Sequence, residues 1–300
     1  MKIQNRAKIC LCISIVIMLV AVVMSLTGHG INYGIDFAGG LNLQYDMGST
    51  YDKADVEEAL KAEGIEEFVV STVGSEGTAV QIRVPTLSDE DEVQNLQNGL
   101  ETTLLEKYPN MDTDNATASY VGPVAGATLV RNAIFSVLIA AVLMLIYIAF
   151  RFDLFSGIAA VAGLLHDVLI MISFMVILRN VIQMNSSFIA AMLTIVGYSI
   201  NNTIVIFDRI RENNKKPALA GQPRSEIVEL SLGRTINTTL TTLVTIVTLY
   251  ILGVASIREF SLPIIIGILA GAYSANLING YIWAALEDAR LARKSQKKAA

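Results

Sequence analysis

The chain has 300 residues, 53% of them hydrophobic and only 16% charged, with a formal net charge of −5 and a mean hydropathy of +0.53. A soluble domain carries about 25% charged residues, so the composition excludes an ordinary soluble globule and points to a membrane protein. Cys10 and Cys12 share one apolar run and face different sides of a helix, which excludes both a disulfide framework and a metal clasp.

Apolar runs long enough to cross a bilayer, about 17–25 residues each, fall at 9–26, 129–150, 157–178, 187–207, 236–254 and 262–286. The first follows Lys2, Arg6 and Lys8, like a signal peptide. It exceeds a signal h-region in length and lacks a small-x-small cleavage site, so a retained helix is expected. Positive charge gathers before this run, at Arg151, in the loop 208–235 (Arg209, Arg211, Lys215, Lys216, Arg224, Arg234) and in the tail 287–300. The positive-inside rule then predicts six spans with both termini cytoplasmic.

One large extracytoplasmic segment, 28–128, lies between spans one and two. It holds 18 Asp or Glu against Lys53, Lys61, Arg83 and Lys107, a balance that excludes nucleic acid as a partner. LNLQYD (41–46) alternates like a strand. A helix follows, with Asp52 as N-cap and Gly64 just past its end. Two β-rich runs meet at the turn 74–77. A second helix opens at Ser88, with Asp91 three residues on, and stops at Pro109. ATASYV (116–121) closes the segment as a strand. The order β-α-β-β-α-β is that of a small ferredoxin-like α+β domain. It carries no nucleophile with its base, no metal-ligand cluster and no phosphate loop, and His29 stands alone in a glycine-rich turn. No enzymatic activity, cofactor or metal is expected.

Polar groups inside spans are functional candidates by default. Span three holds His166 and Asp167, about 100° apart on a helix and so expected to face no common partner. Asp167 is the sharper candidate, because a carboxylate there needs a counter-charge, a proton or water. In span four, Tyr198, Asn201, Asn202 and Val205 are spaced to share one broad face, expected to point into the bundle. Asp208, Arg209 and Arg211 read as edge anchors that pair with the loop. Arg234 either snorkels or turns inward. The threonines from Thr238 to Thr242, and the Gly267-x-x-x-Gly271 pair, read as packing elements.

GIDFAGG (34–40), VGPVAG (121–126), LLHDVLI, GYSINNTIVIFDRIREN, GRTINTTLTTL and GILAGAYSAN follow in the order found in the SecD/SecF family, accessory subunits of the bacterial Sec translocase. The chain resembles that family over essentially its whole length, with the length and DRIREN segment of its SecF branch. The resemblance implies an RND-like half of six helices in the bacterial inner membrane. It implies work with a SecD-type subunit, the SecYEG channel and the SecA motor on a translocating unfolded polypeptide, assisted by an ion gradient. It also implies that Gly34, Asp36, Phe37, Gly39, Gly40, Gly122, Pro123 and Gly126 join the outer domain to the spans, the glycines allowing positive φ.

At Asn202 the family typically carries an aspartate regarded as a proton-pathway group, with Arg234 as its counterpart and Asn201 as a neighbour that fits the pattern. Here the aspartate is replaced by an amide, which releases no proton near neutral pH. Two alternatives stay open: a stand-alone RND-type exporter of small molecules or lipids, and a structural subunit without ion coupling. The basic tail reads as an anchor to anionic lipid.

Overall fold

The structure, a computed structural model, describes residues 3–73, 77–85, 87, 89–219, 222–231, 233–253 and 255–299. In chain order the elements are α1 (Ile3–Leu26), α2 (Ile35–Ala38), β1 (Gly40–Asp46), α3 (Lys53–Ala62), β2 (Val69–Val73), β3 (Ala79–Val84), α4 (Glu90–Lys107) and β4 (Asp112–Val121). Then come α5 (Pro123–Arg151), α6 (Leu154–Ile177), α7 (Ser186–Asn214), α8 (Arg224–Glu229), α9 (Gly233–Leu252), α10 (Ala255–Tyr273), a π-helical segment (Ser274–Asn279) and α11 (Gly280–Ala299). The chain forms two compact units, one of residues 33–135 with 184–186, the other of 1–32, 136–183 and 187–300.

The smaller unit holds a four-stranded antiparallel sheet in the order β2-β3-β1-β4. With helices after β1 and β3, this is the split βαββαβ arrangement that the sequence predicts. Alternation sets the buried face: Leu41, Leu43 and Tyr45 of β1 and Val80, Ile82 and Val84 of β3 meet Val56 and Leu60 of α3 and Leu96, Leu100 and Leu104 of α4. Each such side chain is worth about 1.5–3 kcal/mol when fully buried. Asp52 caps α3 as expected, accepting from Ala54 N at 3.0 Å. The cap of α4 is Asp89, which accepts from Glu92 N at 2.8 Å; Ser88 and the turn residues 74–76 lie outside the described residues. β4 starts at Asp112, four residues before the expected start. It is an edge strand with most of its side chains partly or fully solvated, so its first half needs no apolar alternation to declare it.

Six helices among the described residues are long and apolar enough to cross a membrane: Asn5–Leu26, Ala125–Ile148, Leu154–Ile177, Ser186–Asn214, Thr235–Leu252 and Ile257–Arg293. The third, fourth and sixth are more than half buried, whereas the other three expose most of their apolar surface. α6 packs against α1 and α10, and α9 packs against α10. The sixth span runs through α10, the π segment and α11, past the expected end at Leu286. Glycines set the closest approaches. A Cβ on Gly267 would meet the Ile195 side chain of α7, and one on Gly163 would overlap the Asn279 carboxamide.

Candidate functional site

Asp167 sits near the middle of α6 and is 1% exposed. Its Oδ2 accepts from Ser199 Oγ of α7 at 2.5 Å and from Ser274 Oγ of the π segment at 3.0 Å. Its Oδ1 lies 2.9 Å from Nδ1 of the adjacent His166. His166 Nε2 lies 2.7 Å from Ser14 Oγ of α1 and 3.3 Å from the Tyr273 hydroxyl, and the two rings stand edge to face at 5.3 Å. Ser14 in turn donates to Cys10 O at 3.0 Å. Five elements, α1, α6, α7, α10 and the π segment, therefore converge on one polar chain. As expected, His166 and Asp167 share no outside hydrogen-bond partner among the described residues, but they also bond to each other, which the spacing did not predict.

The donor count shows what this chain can do. With Asp167 ionised, His166 Nδ1–H donates to it. If Ser14 gives its only proton to Cys10 O, Nε2 either donates to Ser14 Oγ or accepts from the Tyr273 hydroxyl. If the ring is neutral, Ser14 or Tyr273 turns its hydroxyl toward Nε2 instead. The cluster thus admits more than one arrangement of hydrogens, set by which way the Ser14 and Tyr273 hydroxyls turn.

A second polar layer lies further along α7. Thr203 Oγ1 accepts from Asn279 Nδ2 at 3.0 Å, and Thr235 at the start of α9 donates to Asn276 Oδ1 at 2.6 Å. Asn202 is 2% exposed, and its Nδ2 has no hydrogen-bond partner among the described residues. The Asn279 Oδ1 is likewise unpaired among them. Asn201 faces outward and is exposed, against expectation. The broad face inferred from spacing merges two sides of α7: Ser199, Asn202, Thr203 and Ile206 point inward, while Tyr198 and Val205 are only half-buried. Arg234 lies in the first turn of α9, but its side chain is outside the described residues, so its expected pairing with Asn202 is not described. Asp208 pairs with Arg151 of α5, not with the loop, through two oxygens at 2.7 and 2.8 Å.

The glycine motifs meet within the smaller unit. Gly39 and Gly40 have φ of +79° and +118°, but Gly34 does not use a positive φ, being extended at −74°. Gly40 pairs with Val121 across the sheet. Gly126 lies so close to the other motif that a Cβ would stand 3.2 Å from Phe37 O and 3.4 Å from Gly39 N. Asp36 Oδ2 accepts from Ser186 N at 2.9 Å, at the start of α7, and Gly34 N donates to Met184 O at 2.9 Å. Gly122 precedes α5, and Pro123 occupies its first position, where a missing N–H costs nothing.

Sequence reasoning missed Ser14 and Tyr273. Of the two serines in the apolar first span, Ser14 lies well inside it and Ser25 at its end, which is the signal for the first; nothing in the pattern singles out Tyr273. The π segment is also absent from the periodicity.

The family described as protein export membrane protein SecD/SecF, C-terminal, matches residues 101–289, and the SecD/SecF GG motif matches 25–49. The protein translocase subunit SecF of Rickettsia bellii (strain OSU 85-389) is 34% identical over 283 residues, covering 93% of this chain and 91% of that protein. The protein translocase subunit SecDF of Bacillus subtilis (strain 168) is 35% identical over 288 residues, which is 92% of this chain but 37% of that one. A crystal structure of SecDF from Thermus, a translocon-associated membrane protein, superposes with a TM-score of 0.78 at 32% identity, over 95% of this chain and 38% of that one. The chain therefore spans little more than a third of the SecDF relatives and nearly all of the SecF relative. With six spans, the ferredoxin-like domain and both motif regions matched, the chain is a multi-pass membrane protein of the SecD/SecF family.

Proposed function

We propose that the chain is an accessory membrane subunit of the Sec protein-export machinery, acting with a SecD-type half on unfolded polypeptide that leaves the SecYEG channel and the SecA motor. The names of its relatives support the export role, and the SecDF relatives support a SecD-type partner. In this reading both termini are cytoplasmic, a placement that the distribution of Lys and Arg supports.

We further propose that an ion gradient assists, and that the His166–Asp167 cluster carries the coupling. The observation behind this is the burial of Asp167: no other Asp or Glu among the described residues is fully buried. A buried carboxylate in a span costs several kcal/mol unless paired, and it is retained where charge must move. Asn202 favours a second reading, a structural subunit without coupling, because the resemblance implies a carboxylate at that position.

Affinity isolation in mild detergent tests the export reading: a SecD-type half and SecYEG should co-purify, and their absence would overturn it. Gradient-dependent export by Asp167→Asn tests the coupling. Equal gradient dependence in the variant and the parent would leave the structural reading.

A further inference from the structure

A polar pocket of about 470 Å³ opens where α5 ends, α6 begins, and α7 and α11 pass. Arg151, Arg211, Arg290, Asp153 and Glu287 line it, with the Trp283 ring on one side. Two of the arginines are already engaged. Arg151 holds Asp208, and its guanidinium stands 5.1 Å over the Phe152 ring. Arg290 reaches Glu287 at 3.3 Å and stands 5.8 Å over the Phe155 ring. Arg211 is exposed and makes no ion pair among the described residues. Asp153 caps α6, taking the Ser156 hydroxyl at 2.7 Å, and faces no cation partner there.

An apolar groove of about 590 Å³ starts at the same two residues, Phe152 and Asp153. It runs along one face of α6, past Gly157, Val161 and Ala162 to Leu165, with Ile148 of α5 beside its start. From Asp153 to Leu165 it measures about 18 Å at 1.5 Å per residue, against about 15 Å for one leaflet of a 30 Å hydrocarbon core. Phe150 and Leu154, 89% and 73% exposed, stand at its mouth, where only lipid or a partner can shield them. A charged pocket that continues into an apolar slot one leaflet long has the polarity of a single amphiphile.

We propose that this composite cavity binds one zwitterionic glycerophospholipid of the ethanolamine type. Its phosphate lies between Arg211 and Arg290, its ammonium faces Asp153 and Glu287, and one acyl chain fills the groove. The Arg290–Glu287 contact, one turn apart on α11 with the arginine 43% and the glutamate 14% exposed, is a weak i,i+3 pair that a phosphate can open. A purely anionic headgroup would satisfy the arginines and leave the two carboxylates against its own charge. The positive-inside count puts this site in the cytoplasmic leaflet. The proposal does not depend on the export reading.

Native mass spectrometry of the full chain, alone and with its co-purified partner, is the test, after reconstitution into equimolar phosphatidylethanolamine, phosphatidylglycerol and phosphatidylcholine. One phosphatidylethanolamine should stay bound in preference to the other two. Arg211→Gln with Arg290→Gln should lower its occupancy about tenfold, and Ala162→Trp, which fills the groove from its half-buried wall, should do the same. Glycerophosphoethanolamine, the headgroup without chains, should not compete. Equal retention of all three lipids, equal occupancy in parent and variants, or competition by the chainless headgroup overturns the proposal. So does loss of the lipid whenever the partner is present, which would assign the groove to a protein helix. Should the arginine variant fail to fold by circular dichroism, Ala162→Trp and the lipid preference still decide.

Discussion

Ser199 of α7 and Asp167 of α6 are joined by a 2.5 Å hydrogen bond, with both side chains 1% exposed. A hydrogen bond to a charged group contributes about 1.5–3 kcal/mol. Ser199→Ala should therefore lower stability by about that amount, read as earlier thermal unfolding in detergent. Asp167→Asn keeps the shape and one carbonyl acceptor. It should leave the fold largely intact while removing the gradient dependence of export in cells.

At position 202 the expectation runs in the other direction. Asn202→Asp introduces a carboxylate into a buried site whose Nδ2 has no described partner. Gradient-dependent export should rise, since the new group can titrate where the amide cannot. Identical gradient dependence in the substituted and unsubstituted chains would remove position 202 from the pathway.

The carboxylate of Asp36 receives the Ser186 amide at the start of α7. Truncating a helix cap costs about 0.5–2 kcal/mol. Asp36→Ala should accelerate hydrogen exchange at the first amides of α7, and Asp36→Asn, which still caps, should restore most of the protection. Unchanged exchange in the alanine variant would show that this cap carries no weight.

Gly40 combines a φ of +118° with a Cβ direction that runs into Pro85 Cα at 2.8 Å and into Val84 O. Strain of this kind costs about 1–3 kcal/mol. Gly40→Ala should destabilise the sheet domain by at least that much, seen as earlier proteolysis of the 33–135 region. Gly34→Ala, at an ordinary extended φ, should be much milder.

Asp55 supports a pH prediction for the sheet domain. Its carboxyl is held below the usual 3.8, first by the Tyr108 hydroxyl at 2.6 Å and then by Lys107 at 3.0 Å. A depressed acid stabilises the fold above its unfolded pKa, and that contribution fades as pH falls through the folded value. The domain should lose stability below about pH 3.8, and Tyr108→Phe should reduce the slope. A titration of domain melting that is the same in both proteins would contradict this.

The sheet domain was largely legible because each of its signals is local. Leu41, Leu43 and Tyr45 alternate, and Asp52 stands where a cap belongs. The site was only partly legible. Asn201 and Asn202 are neighbours with similar chemistry, and only the packing of α7 decides that one faces out and the other in. Ser14 and Tyr273 are 259 positions apart, so their 2.9 Å contact exists only in the folded bundle. The π segment left no trace in the periodicity, because Ser274, Asn276 and Asn279 also fit an unbroken helix.

The continuous sixth span, Ile257–Arg293, has 37 residues. At 1.5 Å each it is about 55 Å long, some 25 Å more than the hydrocarbon core it crosses. The surplus falls toward its charged end, where Glu287, Asp288, Arg290 and Arg293 are carried. The π segment, which holds Asp167 through Ser274, lies partway along this rod, so one continuous helix carries both a contact to the buried carboxylate and the charged residues beyond the apolar stretch.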